Sequence, residues 1–199
     1  MNNILLKTLI HEIETNGGIP LRVQCYVDMD GVLVDMDKGF AKISGGYTTD
    51  NYKEKFGGNK QAAQKSFWKL INQTPNFWLN LDPTPDAKVL WDFLRDNFTD
   101  PVPVILSAGQ GTNLIQQKTA WIRKHIDPSV KVIISSAGVR KSEHLVKFAP
   151  NERVTHLLID DTQRNIDAWD NVSLHRVAIY HTDAANTIKQ LQSFLSNQQ

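Results

Sequence analysis

The stretch Val27–Asp35 reads VDMDGVLVD and sets two carboxylates, Asp28 and Asp30, two residues apart beside Gly31. Apolar runs on either side, Val23–Val27 and Val32–Val34, mark a buried strand that ends in an acidic loop. Carboxylates so spaced at a strand end can converge on one cation or one phosphoryl group, and the glycine lets the backbone turn tightly beside them. The same residues alone also suit a solvated turn or the start of a calcium loop. Against the calcium loop, Val32, Val34 and Met36 bring no oxygen-bearing side chain to the ligand positions that follow.

Further reactive groups stand at the ends of later apolar runs. Ser107 follows Val102–Leu106, and Asp160-Asp161 follows Thr155–Ile159. Between them lies the basic pair Arg140-Lys141, with Lys147 further on. Singly, Ser107 reads as a helix cap and Lys141 as a surface lysine. Adjacent carboxylates such as Asp160 and Asp161 repel each other unless a cation or hydrogen-bond donors offset them. If the strand ends converge, these residues make an oxygen-rich site with one fixed ammonium.

The elements needed to bring them together follow from the alternation of the chain. Helical spacing over about 86–97 precedes the run 102–106, and a helix at 113–125 precedes 130–134. A third helix is predicted over 142–148, then a strand at 155–159, a helix to about 169, a strand at 175–180 and a closing helix at 184–195. Such alternation predicts a Rossmann-like, doubly wound α/β fold with a parallel sheet of about five strands, whose ligands gather at the strand carboxyl ends. The stretch 36–83 breaks the alternation. It lacks a strand-like run, spaces Ala63, Phe67, Leu70 and Ile71 as one helical face, and carries seven lysines against four acidic residues. It predicts a small helical cap inserted after the first strand, leaving 1–35 and 84–199 as the core. Phe67, Trp68, Phe77 and Trp78 suit the interior of such an insert, or a platform for a planar ligand.

Composition narrows the class. The 199 residues are 41% apolar and 22% charged with a net charge of +1, which suits an ordinary globular chain of one domain with room for an insert. No basic stripe of the kind that tracks a nucleic-acid backbone is present, so stable nucleic-acid binding is not expected. The one cysteine, Cys25, lies in an apolar run and predicts a small core residue in a reducing compartment. Near the N-terminus, Ile4, Leu5, Leu9 and Ile13 have helical spacing, while Lys7, His11, Glu12 and Glu14 interrupt any signal-peptide core. With no apolar run of membrane-spanning length, the expectation is a cytoplasmic protein.

Asp28-Met29-Asp30-Gly31, Ser107 in VILSAG, a lysine near 141 and Asp160-Asp161 in HLLIDD match, in order, the four motifs of the haloacid dehalogenase superfamily of aspartate-nucleophile phosphatases. The resemblance spans about residues 22–181. Within that superfamily the chain is most similar to the 5'(3')-deoxyribonucleotidases and related phage and bacterial proteins, through DMDGVL, NFWLNLDPTPDA and LLIDD. It implies a phosphomonoester hydrolase, with a nucleotide as substrate and Mg2+ as cofactor. Asp28 would be the nucleophile and Asp30 the general acid and base. Ser107 and Lys141, with Lys147 as second choice, would bind the phosphate. Asp28, the backbone carbonyl of Asp30, and Asp161 would hold the metal, with Asp160 orienting the metal's waters or the lysine. Phe77 or Trp78, with Phe67 and Trp68 as alternatives, would lie beside a base. Thr162 stands where the nucleotidases carry arginine, and Ala108-Gly109 follows Ser107 without a further hydroxyl.

Two other classes share some of these features. A receiver-type signalling domain also combines an acidic pair, a hydroxyl, a lysine and magnesium, but its acidic pair precedes its phosphorylated aspartate, the reverse of the order here. A non-catalytic nucleotide binder would not require Asp28 and Asp30 together. Failure to hydrolyse any phosphomonoester with magnesium would favour it.

Overall fold

A computed structural model describes residues 22–109, 111–136, 138–147, 153–170 and 175–196. The predicted N-terminal helix, Ile4 to Ile13, lies outside the described residues. Five strands form one sheet: β1 (Arg22–Val27), β2 (Val104–Gly109), β3 (Val132–Ser136), β4 (Val154–Asp160) and β5 (Arg176–Tyr180). Every pairing is parallel and the order is β3-β2-β1-β4-β5. The chain builds outward from β1 through β2 to β3, then crosses back to place β4 on the other side of β1. The order therefore reverses at β1 and β4, which is where a crevice opens in a sheet of this kind.

Both faces of the sheet are covered, which is why its strands read as mostly apolar runs rather than as a strict alternation. On one face Cys25, Val27, Leu157 and Ile159 join the larger core. On the other, Tyr26, Leu106 and Leu158 pack with Ile166 and Trp169. The helices are α1 (Met36–Ser44), α2 (Lys60–Gln73), α3 (Ala87–Asn97), α4 (Thr112–His125), α5 (Gln163–Asp170) and α6 (Ala184–Ser196). Among the described residues no helix is long and apolar enough to cross a membrane.

Residues 36–83 contain α1, α2 and two 3-10 turns, Tyr52–Phe56 and Trp78–Asn80, and no strand. The segment leaves and returns through a narrow neck. Val34 bridges Pro83, Asp35 N donates to Asp82 O at 2.9 Å, and Thr84 N donates to Leu33 O at 3.0 Å. Phe40 packs against Phe67 and Tyr52, with ring centroids 4.6 and 4.9 Å away, and so gives the segment an aromatic centre of its own. Leu81 closes it against α1 at Gly39, where a Cβ would stand 2.0 Å from Leu81 Cδ2.

Two local expectations change. The second strand begins at Val104 rather than at 102, because Pro103 has no N–H to give the ladder. The helix predicted over 142–148 is a single 3-10 turn, Lys141–His144. Lys141 is held by two carboxylates, and Val146 N donates to Tyr26 Oη at 2.9 Å, so the chain is pulled along the sheet rather than allowed to coil.

Candidate active site

β1 delivers Asp28 to the crevice, and a tight loop holds it there. Asp28 N donates to Ile159 O, tying the strand end to β4, while Leu33 N and Val34 N both donate to Met29 O, each at 2.9 Å. Met29, Val32, Leu33 and Val34 are fully buried, so the loop turns only its carboxylates and Gly31 toward the opening. Gly31 has a φ of +77°, and a Cβ there would stand 1.8 Å from Asp161 Oδ2. Both the turn and the approach of the second acidic strand end therefore require glycine.

Asp28, Asp160 and Asp161 offer oxygens within 4.8 Å of one another. Asp160, fully buried, is saturated by donors: Lys141 Nζ at 2.6 Å, Thr162 N at 2.9 Å and Asn165 Nδ2 at 3.0 Å to both oxygens. Lys141 Nζ also lies 2.8 Å from Asp28 Oδ1. One buried ammonium thus serves two of the three carboxylates. The imbalance is visible in their acidities. Burial, reinforced by Asp160 and Asp30 and opposed by Lys141, pushes Asp28 up to about 7. Burial and the neighbouring Asp160 push Asp161 up to about 6. Lys141 is itself buried, which disfavours its charge, but Asp28 and Asp160 outweigh that and raise its pKa. Three clustered oxygen donors with surplus negative charge fit a hard divalent cation such as Mg2+, with Asp28 and Asp161 the less encumbered ligands and Asp160 the orienting group.

The second early carboxylate has a different setting. Asp30 Oδ2 accepts from Lys118 Nζ, while its Oδ1 is buried without a hydrogen-bond partner. Lys118, fully buried, also donates to Ser107 Oγ and to Ala108 O, each at 3.0 Å, and lies 4.3 Å from the centre of the Trp78 ring. It thereby links the first strand end, the second strand end and the insert. Sequence reasoning passes over Lys118, although it carries a readable sign: on α4 it falls on the buried stripe with Leu114, Trp121 and Ile122, where a lysine needs a partner. Asn165, which fixes Asp160, is likewise not legible from any motif.

The structure therefore brings Asp28, Asp160, Asp161 and Lys141 together, and joins Asp30, Ser107 and Trp78 through Lys118. A cavity of about 390 Å3 opens on Asp28, Asp30 and Asp161, walled by Thr49, Thr84 and Thr162. Lys147 is exposed. Phe77 and Trp78, 4% and 5% exposed, stand edge to face at 5.2 Å where the insert meets α4. Phe67 is half-buried against Phe40 and Trp68 is exposed. Those two line a separate groove of about 360 Å3, with Lys53 and Lys60, which meets the Asp28 cavity at Thr49.

No family model matches the sequence, and no curated protein matches it. Solved structures that resemble the fold include one named as a haloacid dehalogenase-like hydrolase of Burkholderia xenovorans LB400. It is 17% identical, covers 87% of this chain and 91% of its own, and has a TM-score of 0.49. One named as a beta-phosphoglucomutase of Bacteroides vulgatus is 16% identical over all of both chains, with a TM-score of 0.46. A dehalogenase is 14% identical over 80% of this chain and 84% of its own, with a TM-score of 0.44. Likenesses at these scores leave the chemistry to be read from the side chains themselves.

Proposed function

We propose that this chain is a magnesium-dependent phosphomonoester hydrolase of the haloacid dehalogenase type, acting through an aspartyl-phosphate on Asp28 with a nucleoside monophosphate as substrate. The observation that carries the proposal is the division of the acidic loop. Asp28 is held by Lys141 at the crevice, while Asp30, two residues on, is held separately by Lys118 and keeps one oxygen without a hydrogen-bond partner.

In the first step an Asp28 carboxylate oxygen attacks phosphorus, the ester P–O bond breaks, and Asp30 gives a proton to the departing oxygen. In the second, water attacks the same phosphorus and passes a proton to Asp30. The P–O bond to Asp28 then breaks, and inorganic phosphate leaves. Lys141 and the Ser107 hydroxyl stabilise the non-bridging oxygens. Bound by Asp28 and Asp161, magnesium would offset the repulsion between a carboxylate nucleophile and a phosphate dianion. Lys118 keeps Asp30 and Ser107 in register. Residues 36–83 serve as the cap, and Phe77 and Trp78 supply the aromatic surface that favours a base over a bare sugar. A monomeric nucleotide suits the site better than a polynucleotide, since no extended basic track leads away from it.

The test is a panel of phosphomonoesters, deoxyribonucleoside monophosphates beside sugar phosphates, assayed with magnesium and with excess chelator. Hydrolysis that requires magnesium, favours nucleotides and disappears in Asp28→Asn is the expected result, with beryllofluoride as a competitive inhibitor. Turnover by Asp28→Asn at the parent rate would sink the mechanism. Equal specificity constants for nucleotides and sugar phosphates would remove the nucleotide claim.

A further inference from the structure

The cavity that opens on Asp28, Asp30 and Asp161 is also lined by Asp35 and Asp37, at the start of α1. It therefore gathers five carboxylates, and among the described residues no lysine or arginine lines it. Three of the five belong to the reaction described above; Asp35 and Asp37 do not. Nor are these two neutralised from behind. Lys118 is committed to Asp30, and Lys141 to Asp28 and Asp160. The lysines nearest in sequence, Lys38 and Lys42, both turn to Asp82 at 3.1 Å. Among the described residues neither Asp35 nor Asp37 has a cationic partner.

Both carboxylates are held in place rather than left to swing away. Asp35 Oδ1 caps α1 by accepting from Lys38 N at 2.9 Å. Asp37 Oδ1 accepts from Thr49 N at 2.9 Å and from Thr49 Oγ1 at 2.5 Å. The first turn of α1, whose amides would otherwise attract an anion, is thus closed by a carboxylate of its own chain. The threonines of the wall also spend their hydroxyl protons on the protein: Thr49 on Asp37, Thr84 on Val32 O at 2.9 Å, and Thr162 on Asp161 at 3.3 Å. The side chains beyond the reacting atoms therefore present acceptors and fixed negative charge.

We infer that Asp35 and Asp37 are specificity residues, which reject a leaving group that carries a second anionic group and admit one that is neutral and bears hydroxyl or N–H donors. The inference rests on the phosphomonoester hydrolase reading above and narrows its substrate class. A nucleoside monophosphate qualifies, whereas a nucleoside bisphosphate or a sugar bisphosphate does not. The phosphoryl group under attack meets Lys141 at Asp28; a second one, lying against Asp35 and Asp37, meets no cation. Selection of this kind works by repelling the wrong substrate rather than by attracting the right one.

The experiment compares specificity constants within two matched pairs, thymidine 5'-monophosphate with thymidine 3',5'-bisphosphate and fructose 6-phosphate with fructose 1,6-bisphosphate. Free magnesium is held fixed, and each pair is run at low and at high salt. Whichever phosphoryl group of a bisphosphate is attacked, the leaving group carries the other. The bisphosphates are expected to be disfavoured about tenfold or more at low salt, by a gap that narrows as salt screens the wall. Asp35→Asn and Asp37→Asn each remove a charge but keep the accepting oxygen, and each should narrow the gap about threefold or more. A bisphosphate hydrolysed as well as its monophosphate would overturn the inference, as would a gap that neither substitution moves. If the variants do not melt cooperatively, the salt series on the parent decides, and a gap indifferent to salt is then the adverse result. Hydrolysis of the monophosphates without discrimination would refute only the roles of Asp35 and Asp37. Discrimination within both pairs, with nucleotides no better than sugar phosphates, would refute only the nucleotide claim. No hydrolysis of any ester would refute the phosphatase reading and this inference with it.

Discussion

Replacing Lys118 by methionine removes one ammonium and nothing else of similar size, so its effect isolates what that charge does. The Nζ atom donates to Asp30, to Ser107 Oγ and to Ala108 O from a fully buried position. Losing one partner of a fully buried ion pair costs about 3–5 kcal/mol. Asp30 is not fully buried; its side chain is 30% exposed, so water can replace part of what is lost. Ser107 Oγ can also turn to another acceptor, which leaves Ala108 O as the smaller remaining loss. A destabilisation of about 2–3 kcal/mol follows, readable as a lower denaturant midpoint with an unchanged slope. Activity should fall by more than stability explains, because Asp30 then has neither oxygen fixed. A general acid displaced from its line to the leaving oxygen forfeits roughly 10²-fold or more in kcat, while KM for the phosphate ester should move little. Lys118→Arg should not restore it, since the one Nζ atom donates to Asp30, Ser107 Oγ and Ala108 O from a fully buried position, and the donors of a longer, planar guanidinium are fixed in one plane and cannot reproduce that geometry. Denaturant unfolding and steady-state kinetics on the same preparations test both numbers. A Lys118→Met protein within about 0.5 kcal/mol and twofold in kcat of the parent would refute the linking role.

Three further outcomes are expected. Gly31→Ala must place a Cβ 1.8 Å from Asp161 Oδ2 at a φ of +77°, so Asp161 is displaced and the magnesium needed for half-maximal activity should rise at least about tenfold; an unchanged magnesium titration would be the adverse result. Asp160→Asn and Asp161→Asn should separate. The first unpicks a saturated buried cluster and should cost about 2–4 kcal/mol, whereas the second should lose magnesium-dependent activity with little loss of stability. For His156, burial first and then the charges of Arg176 and His175 lower the pKa from 6.5 to about 4. The unfolded chain therefore binds a proton below pH 6.5 that the folded chain refuses until about pH 4, so this residue makes stability fall as pH drops through that window. Discounted for a half-buried ring, the loss is about 1–2 kcal/mol, and His156→Gln should flatten the acid limb by that amount in unfolding measured from pH 7 to pH 4.

Most of the sheet could be read from the sequence because doubly covered strands are written as apolar runs, and the three reactive strand ends could be read because each such run stops at a polar residue. What escaped depends on partners distant in sequence. The 3-10 turn at Lys141 has ordinary helix-forming residues after it, and only the pull of Asp28, Asp160 and Tyr26 uncoils it. Lys118 sits in a regular helix with no motif around it, and its meaning comes from Asp30, 88 positions away. Of the aromatic residues in the insert, periodicity identifies Phe67 as part of a helical face but gives no hint that Trp78 meets Lys118.

The two buried lysines explain why the acidic residues can share so small a space. Asp28, Asp30, Asp160 and Asp161 come from two strand ends that the backbone bond from Asp28 N to Ile159 O holds together. Lys141 spans Asp28 and Asp160, and Lys118 holds Asp30 to the second strand end at Ser107. Neither lysine reaches Asp161 in this arrangement, and Asp161 is the carboxylate that lies against Gly31, open to the cavity. Each ammonium is thus placed to stabilise the fold before any ligand binds, while Asp161 has none of its own. In the reaction proposed above, the same placement would keep the nucleophile and the acid from competing for one ammonium. With a lysine each, Asp28 would be committed to attack while Asp30 keeps an oxygen free to exchange a proton.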